Sequence, residues 1–262
     1  MSIVREAAVA GMFYPADPTE LEQQLDVFLD KAGNNHEPAL ALIVPHAGYV
    51  YSGPVAASAY THLISLRGKI HKVVLLGPSH RVGFRGIAVS GADYFVTPLG
   101  EIPLDHDALK EVLGMPQVHQ LDQAHADEHC LEVQLPFLQK LLGDFSLIPL
   151  VVGDADAHEV AEVIESLWKD EQTLVVVSTD LSHYHDYHTA RQLDRATCSA
   201  IESLDPDAIG HDQACGRNPL NGLLTVAKQR HLHVHTLDLR NSGDTAGPRD
   251  SVVGYGAWML TH

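Results

Sequence analysis

The chain has 262 residues, 45% of them hydrophobic, and a formal charge of −17 at pH 7. That length permits a large buried core, and the acidic balance disfavours nucleic acid as a partner, because a sequence-independent grip on phosphates depends on Lys and Arg displacing counterions. No stretch reaches the ~20 apolar residues that span a bilayer, and the first residues, with Arg5, Glu6 and Asp17, hold no apolar core of signal-peptide length, so a cytosolic protein with no membrane partner is expected.

In chain order, Asp17 and Pro18 open a helix over 18–31, with Leu21, Leu25, Phe28 and Leu29 at helical spacing and Gly33 as its stop. An apolar run predicts a strand at 39–44. A helix follows from Gly53 and Pro54 through Tyr60 and Ile64, with the proline in its first turn, where no donor is lost. Strands at 72–76 and 86–90 come next, then two extended pieces at 94–96 and 101–103 around Pro98 and Gly100, which read as a hairpin or flap over one end of the sheet. Beyond them the pattern predicts a helix at 130–142, a strand at 146–152, a helix at 157–168 and a buried strand at 173–178. Helices near 189–203 and 219–230 precede two strand-like runs at 233–239 and 251–260, joined as a long hairpin. No repeat or Pro/Ser-rich linker divides the chain. The alternation implies one α/β domain over 1–262, with a mixed, largely parallel central sheet flanked by helices.

In such a sheet, ligands collect outside the carboxyl ends of the strands. His46 and His80 sit just past the runs at 39–44 and 72–76, in Pro45-His46-Ala47-Gly48 and Gly77-Pro78-Ser79-His80. Asp180 and His183 lie just past the run at 173–178, and Asn241, Ser242 and Asp244 form the polar turn after the next. If these ends converge, His46, His80 and a carboxylate can form the two-His, one-carboxylate face of non-haem Fe(II), leaving His183 to exchange protons near neutral pH. Asp180 and Asp244 also suit helix caps and turns, and both histidines suit ordinary turns. The 18 histidines outnumber the 17 Lys and Arg, but position carries the argument, not abundance.

His125-Ala126-Asp127-Glu128-His129 matches H-x-x-E-H, the inverted zinc-protease pattern, which requires both histidines on one helix. Here Asp127 reads as the cap of a helix that begins after it, so Glu128 and His129 are expected to border the crevice at a helix start. Cys130, Cys198 and Cys215 are odd in number and lack close spacing, which argues against a disulfide framework or zinc knuckle. Cys215 beside Arg217 reads either as a thiolate near a cationic partner or as a buried structural thiol before a helix. Tyr49 and Tyr51 suit pocket walls and core packing equally. His231, His233 and His235 alternate as on the face of an edge strand.

Taken together, the segments Pro45 to Gly53, Gly77 to His80, Glu128 to Phe137, Ser178 to His183, Cys215-Gly216 and Asn241 to Asp244 resemble, in that order, the motifs of Memo-like proteins, the type also called AmmeMemoRadiSam system protein B. The resemblance spans nearly the whole chain. It implies the fold of class III extradiol ring-cleaving dioxygenases, a crevice for non-haem iron, His46 and His80 as metal ligands, and Asp180 and His183 as a further active-site pair. Animal members place a metal-binding cysteine in the turn that here reads Ser242-Gly243-Asp244-Thr245, where the nearest counterpart is Thr245. Asp244 therefore stands in as the third metal ligand.

The expectation is a metal-binding protein, with Fe(II) first and Zn or Cu as other occupants, acting as an oxidoreductase on an unknown small molecule. His183 and Asp180 are its catalytic pair, and Tyr49, Tyr51, Glu128, His129 and Cys215 its substrate-binding residues. A radical-SAM partner follows from the family resemblance alone. Two other readings remain open at this point: a module that recognises a peptide or protein motif in the same crevice without turnover, and a metal-dependent hydrolase. Fold does not choose among them, since function resides in the site.

Overall fold

Four strands are buried along almost their whole length: β2 (Ala41–Val44), β3 (Lys72–Pro78), β8 (Ser146–Val152) and β9 (Thr173–Ser178). In the computed structural model, which describes residues 2–33 and 37–262, they run parallel in the order β2-β9-β3-β8. Their continuous aliphatic runs are what a sheet covered on both faces requires. The remaining elements, in chain order, are β1 (Val4–Arg5), α1 (Pro18–Ala32), α2 (Tyr49–Tyr60), β4 (Ile87–Val89), β5 (Tyr94–Thr97), β6 (Gly100–Pro103), α3 (His106–Val112), β7 (Val118–Gln120), α4 (Asp122–Ala126), α5 (His129–Glu132), α6 (Leu135–Leu142), α7 (Ala157–Leu167), β10 (His183–His185), α8 (Tyr187–Glu202), α9 (Arg217–Gln229), β11 (His233–Asn241), α10 (Ser242–Thr245) and β12 (Val252–Thr261).

The chain moves one way along the sheet from β2 to β3 and the other way from β8 to β9. Right-handed crossovers therefore place α2 and α7 on opposite faces. Antiparallel β12 extends the sheet beyond β2, and antiparallel β4 extends it beyond β8, which makes the sheet mixed, as expected, around a parallel four-stranded centre. β11 pairs with β12 as the expected long hairpin; His233 and His235 are exposed on it, whereas His231 lies in the turn before it, with φ +55°, and does not share the strand face. Among the described residues no helix is long and apolar enough to cross a membrane.

Three local differences have physical causes. α2 starts at Tyr49, four residues early, because Gly48 supplies the turn and the Tyr49 N–H is taken by the Phe13 carbonyl at 2.7 Å. Pro54 then lies inside the helix and forfeits one backbone bond. The expected helix at 130–142 divides into α5 and α6, since Pro136 has no N–H for the Glu132 carbonyl. The hairpin of β5 and β6 forms, but it joins β1 in a separate three-stranded sheet, and none of its residues lines the principal cleft.

Candidate metal centre

β2, β9 and β3 are neighbours, and His46, Asp180 and His80 each follow the last strand residue by two positions. Parallel register turns that shared offset into proximity, with the β9 residue between the two histidines. The His46 N–H donates to Asp180 Oδ1 at 2.7 Å, and the His46 and His80 ring centres are 5.1 Å apart. They open on a cleft of about 1080 Å³ whose walls include Tyr51, His129, Asp180, His183 and Cys215.

Hydrogen bonds determine which nitrogen of each ring faces the cleft. Ser178 Oγ donates to the Cys130 carbonyl at 2.7 Å and accepts from Gln134 Nε2 at 2.9 Å. A hydroxyl has one proton, so its 2.9 Å contact with His46 Nδ1 is one it accepts. His46 therefore carries its proton on Nδ1 and presents the Nε2 lone pair. Tyr60 fixes the Gln134 amide by donating to its Oε1 at 2.8 Å, while Gln134 Nε2 also reaches the Pro45 carbonyl at 2.9 Å. On the other wall, Glu128 accepts from His80 Nδ1 at 2.8 Å, from His80 N at 2.7 Å and from Cys130 N at 3.1 Å. Burial alone would raise the Glu128 pKa, but the hydrogen bonds from His80 and Cys130 prevail and hold it at about 2. An ionised carboxylate only accepts, so His80 is also protonated on Nδ1 and offers Nε2.

Cys215 supplies the third donor. Its Sγ is 3.2 Å from His46 Nε2, and the donor atoms of His46, His80 and Cys215 all lie within 4.8 Å of one another. The thiol arrives because the start of α9 presses against the end of β9: Gly216 N–H donates to Thr179 Oγ1 at 2.9 Å, and a Cβ on Gly216 would fall 2.6 Å from the Thr179 Cβ. Gly77 plays the same part under His80, since a Cβ there would meet Cys130 Sγ at 2.5 Å. A second group, His80, Glu128 and His129, satisfies the same distance limit. His129 stacks on His80 with ring centres 4.7 Å apart, and burial, then the neighbouring His46 and His80, push its pKa down to about 4. Burial drives the His46 pKa well below its ordinary value, raises that of Asp180 and lifts the Cys215 thiol to about 12.

Other expected residues lie elsewhere. Asp244 does not join the donors: its Oδ1 accepts from the Tyr187 hydroxyl at 2.6 Å and its Oδ2 from Asn241 N at 3.2 Å, a capping role at the start of α10. Thr245 donates to the Ser242 carbonyl at 3.3 Å. Tyr49 is buried in the core, its hydroxyl on the Val133 carbonyl at 2.7 Å, because the early start of α2 turns it inward. Glu128 stands behind His80 instead of lining the cleft, and Glu128, not Asp127, caps α5. His125 lies in α4, apart from His129, with Nε2 3.0 Å from the Ala88 carbonyl, so the inverted protease pair does not assemble. Ser178 and Gln134 carry only a weak signal in the sequence: Ser178 is the polar end of an apolar strand run, and Gln134 stands between Val133 and Leu135 where α5 gives way to α6.

The family model for Memo-like proteins matches residues 5–259. A MEMO1 family protein of Sulfolobus acidocaldarius is 35% identical, covering 97% of this chain and 98% of its own. One from Ignicoccus hospitalis is 36% identical, covering 97% and 98% respectively. An uncharacterised protein of Escherichia coli K12, at 14% identity and a TM-score of 0.51, covers 84% of this chain and 98% of its own, and shares the fold alone. A match over almost the full length, to the family model and to relatives above the threshold of chance likeness, places this chain in the Memo-like protein family.

Proposed function

We propose that the cleft binds a divalent metal through His46 Nε2, His80 Nε2 and Cys215 Sγ, and that the protein is an oxidoreductase acting on a small molecule held beside it. The observation that carries this reading is the pair of fixed tautomers. Each imidazole has its Nδ1 proton anchored outside the cleft, on Ser178 or Glu128, which is how metal-ligating histidines are oriented. Two imidazoles and a thiolate fit iron, zinc or copper, and they do not fit magnesium or calcium, which take oxygen ligands. Fe(II) is the proposed occupant.

Bound there with only three protein ligands, it would supply open positions for oxygen or substrate. The surrounding residues provide positioning and protons. Glu128 and the chain Tyr60, Gln134, Ser178 hold the two rings in place. Burial raises the Asp180 pKa against the opposing pull of the His46 N–H, which fixes this carboxyl beside the two rings. His183 lines the same cleft and exchanges a proton with a substrate hydroxyl.

Metal analysis of anaerobically purified, Fe(II)-loaded protein tests the assignment. His46→Ala, His80→Ala and Cys215→Ser each remove stoichiometric metal with little loss of fold, because an open-site ion is a minor source of cohesion in a core this large. A nitric-oxide adduct of the wild type reports an open position, and a closed site counts against oxygen chemistry. Retention of full metal content in Cys215→Ser sinks the proposed ligand set.

A further inference from the structure

Tyr184 stands at the mouth of the cleft in a backbone conformation that a tyrosine seldom adopts. Its φ is +62°, in the left-handed region, and its side chain is 77% exposed. The cause is a bulge. His183 pairs with Val253 and His185 with Val252, so Tyr184 is the extra residue of β10 opposite β12. A left-handed bulge position is suited to glycine, and bulges of this kind re-aim a side chain beside a site. The two flanking histidines and Tyr184 all border the cleft, with the His183 and Tyr184 ring centres 5.7 Å apart. Tyr51, 39% exposed, borders it too.

Six histidines line the cleft, and when these are neutral its remaining titratable charge is acidic. Among the described residues no Lys or Arg borders the cleft, whereas Asp180 and Asp212 do. An anionic ligand would find no guanidinium or ammonium to meet it. Aromatic faces and carboxylates instead attract a cation, and a protein of formal charge −17 draws cations toward it.

We propose that the cleft selects an organic cation, an amine-bearing small molecule with an apolar flank, and that Tyr184 is the specificity-determining residue that grips it, with Asp212 meeting its charge at the rim. This rests on the reading of the cleft as a ligand site, but not on the identity or presence of the metal. The bulge then has a purpose: it spends backbone stability to present one aromatic face to the ligand.

The test uses three probes of one shape: phenethylamine, phenethyl alcohol and phenylacetate. Each is titrated into the full chain, as purified and after chelation, at a pH above the imidazole range so that the mouth histidines are neutral. The chelated protein binds the amine more tightly than the alcohol, and phenylacetate most weakly. Tyr184→Ala weakens the amine about five-fold, the worth of one exposed cation–π contact. Tyr184→Gly weakens it similarly while raising the thermal midpoint, since glycine relieves the left-handed strain. Asp212→Asn weakens the amine and leaves the alcohol unchanged. The proposal is overturned if phenylacetate or the alcohol binds as tightly as the amine, if Tyr184→Ala has no effect, or if the amine shows no saturable binding at millimolar concentration. Metal content is measured in the same samples. Its absence from the wild type would defeat the metal assignment while leaving the amine titration able to stand or fall by itself.

Discussion

Glu128 and Glu132 lie four residues apart around one short helix, and both are almost completely buried, yet they serve opposite ends of the molecule's economy of charge. Glu132 is ringed by the N-terminal segment: the Arg5 guanidinium, Ala8 N at 2.8 Å, Val9 N at 2.9 Å and the Tyr14 hydroxyl at 2.6 Å. Arg5 also donates to the His125 carbonyl at 3.0 Å and the Glu128 carbonyl at 2.8 Å, tying that segment to the helices beneath it. Glu128 instead spends its bonds on His80, whose other nitrogen faces the cleft. Burial and hydrogen-bond satisfaction are alike in the two regions. What separates structure from site is whether a donor has a second functional atom pointing at open space.

The largest effect expected from this contrast is on folding. Glu132→Ala leaves the Arg5 guanidinium buried without its carboxylate and should cost about 3–5 kcal/mol in urea unfolding. A loss within the ordinary surface range would erase the distinction between the two glutamates.

Next in size is a pH effect on the structural side. Burial pushes the His125 pKa down to about 4 from an ordinary 6.5. The unfolded chain therefore binds a proton that the folded one refuses, so this contribution is fully present above about pH 6.5 and is lost as pH falls toward about 4. Over that window the wild type should lose about 3 kcal/mol relative to His125→Gln. Parallel unfolding curves for the two proteins would show that His125 is already charged in the fold.

Glu128→Gln probes the cleft side. It keeps an acceptor for His80 but removes the charge, and should weaken metal binding about 10–100-fold while moving the unfolding midpoint far less than Glu132→Ala does. Competition with a chelator measures the first quantity. If stability falls and metal affinity holds, the roles of the two carboxylates are reversed.

The smallest change comes from Asp244→Ala, which removes a cap and the Tyr187 contact and should cost about 1 kcal/mol. Metal content should be unaltered. Metal loss in a folded Asp244→Ala protein would restore that residue to the ligand set.

Much of the site was legible because it repeats. His46, His80 and Asp180 occupy the same offset after three apolar runs, and parallel pairing converts equal offsets into neighbours. Asp244 misled because a polar turn after a strand looks the same whether its carboxylate faces a ligand or caps its own backbone. Tyr49 misled because α2 begins four residues before the Gly53-Pro54 signal, which makes Tyr49 part of a helix packed on the core instead of the turn before it.

Local patterning was enough for nine of the twelve strands among the described residues, though not for the short β1, β7 and β10, and for the placement of two histidines and an aspartate at strand ends, since aliphatic runs between turns carry a signal that survives without partners. Packing between distant segments brings Cys215 to His46 across 169 residues, lets Ser178 set the His46 tautomer and turns Asp244 away. Those outcomes depend on how closely two backbones approach, at Gly77 and Gly216, and on which of several acceptors each proton reaches. Neither quantity has a period in the chain; both are fixed only when the packed elements exclude every other arrangement.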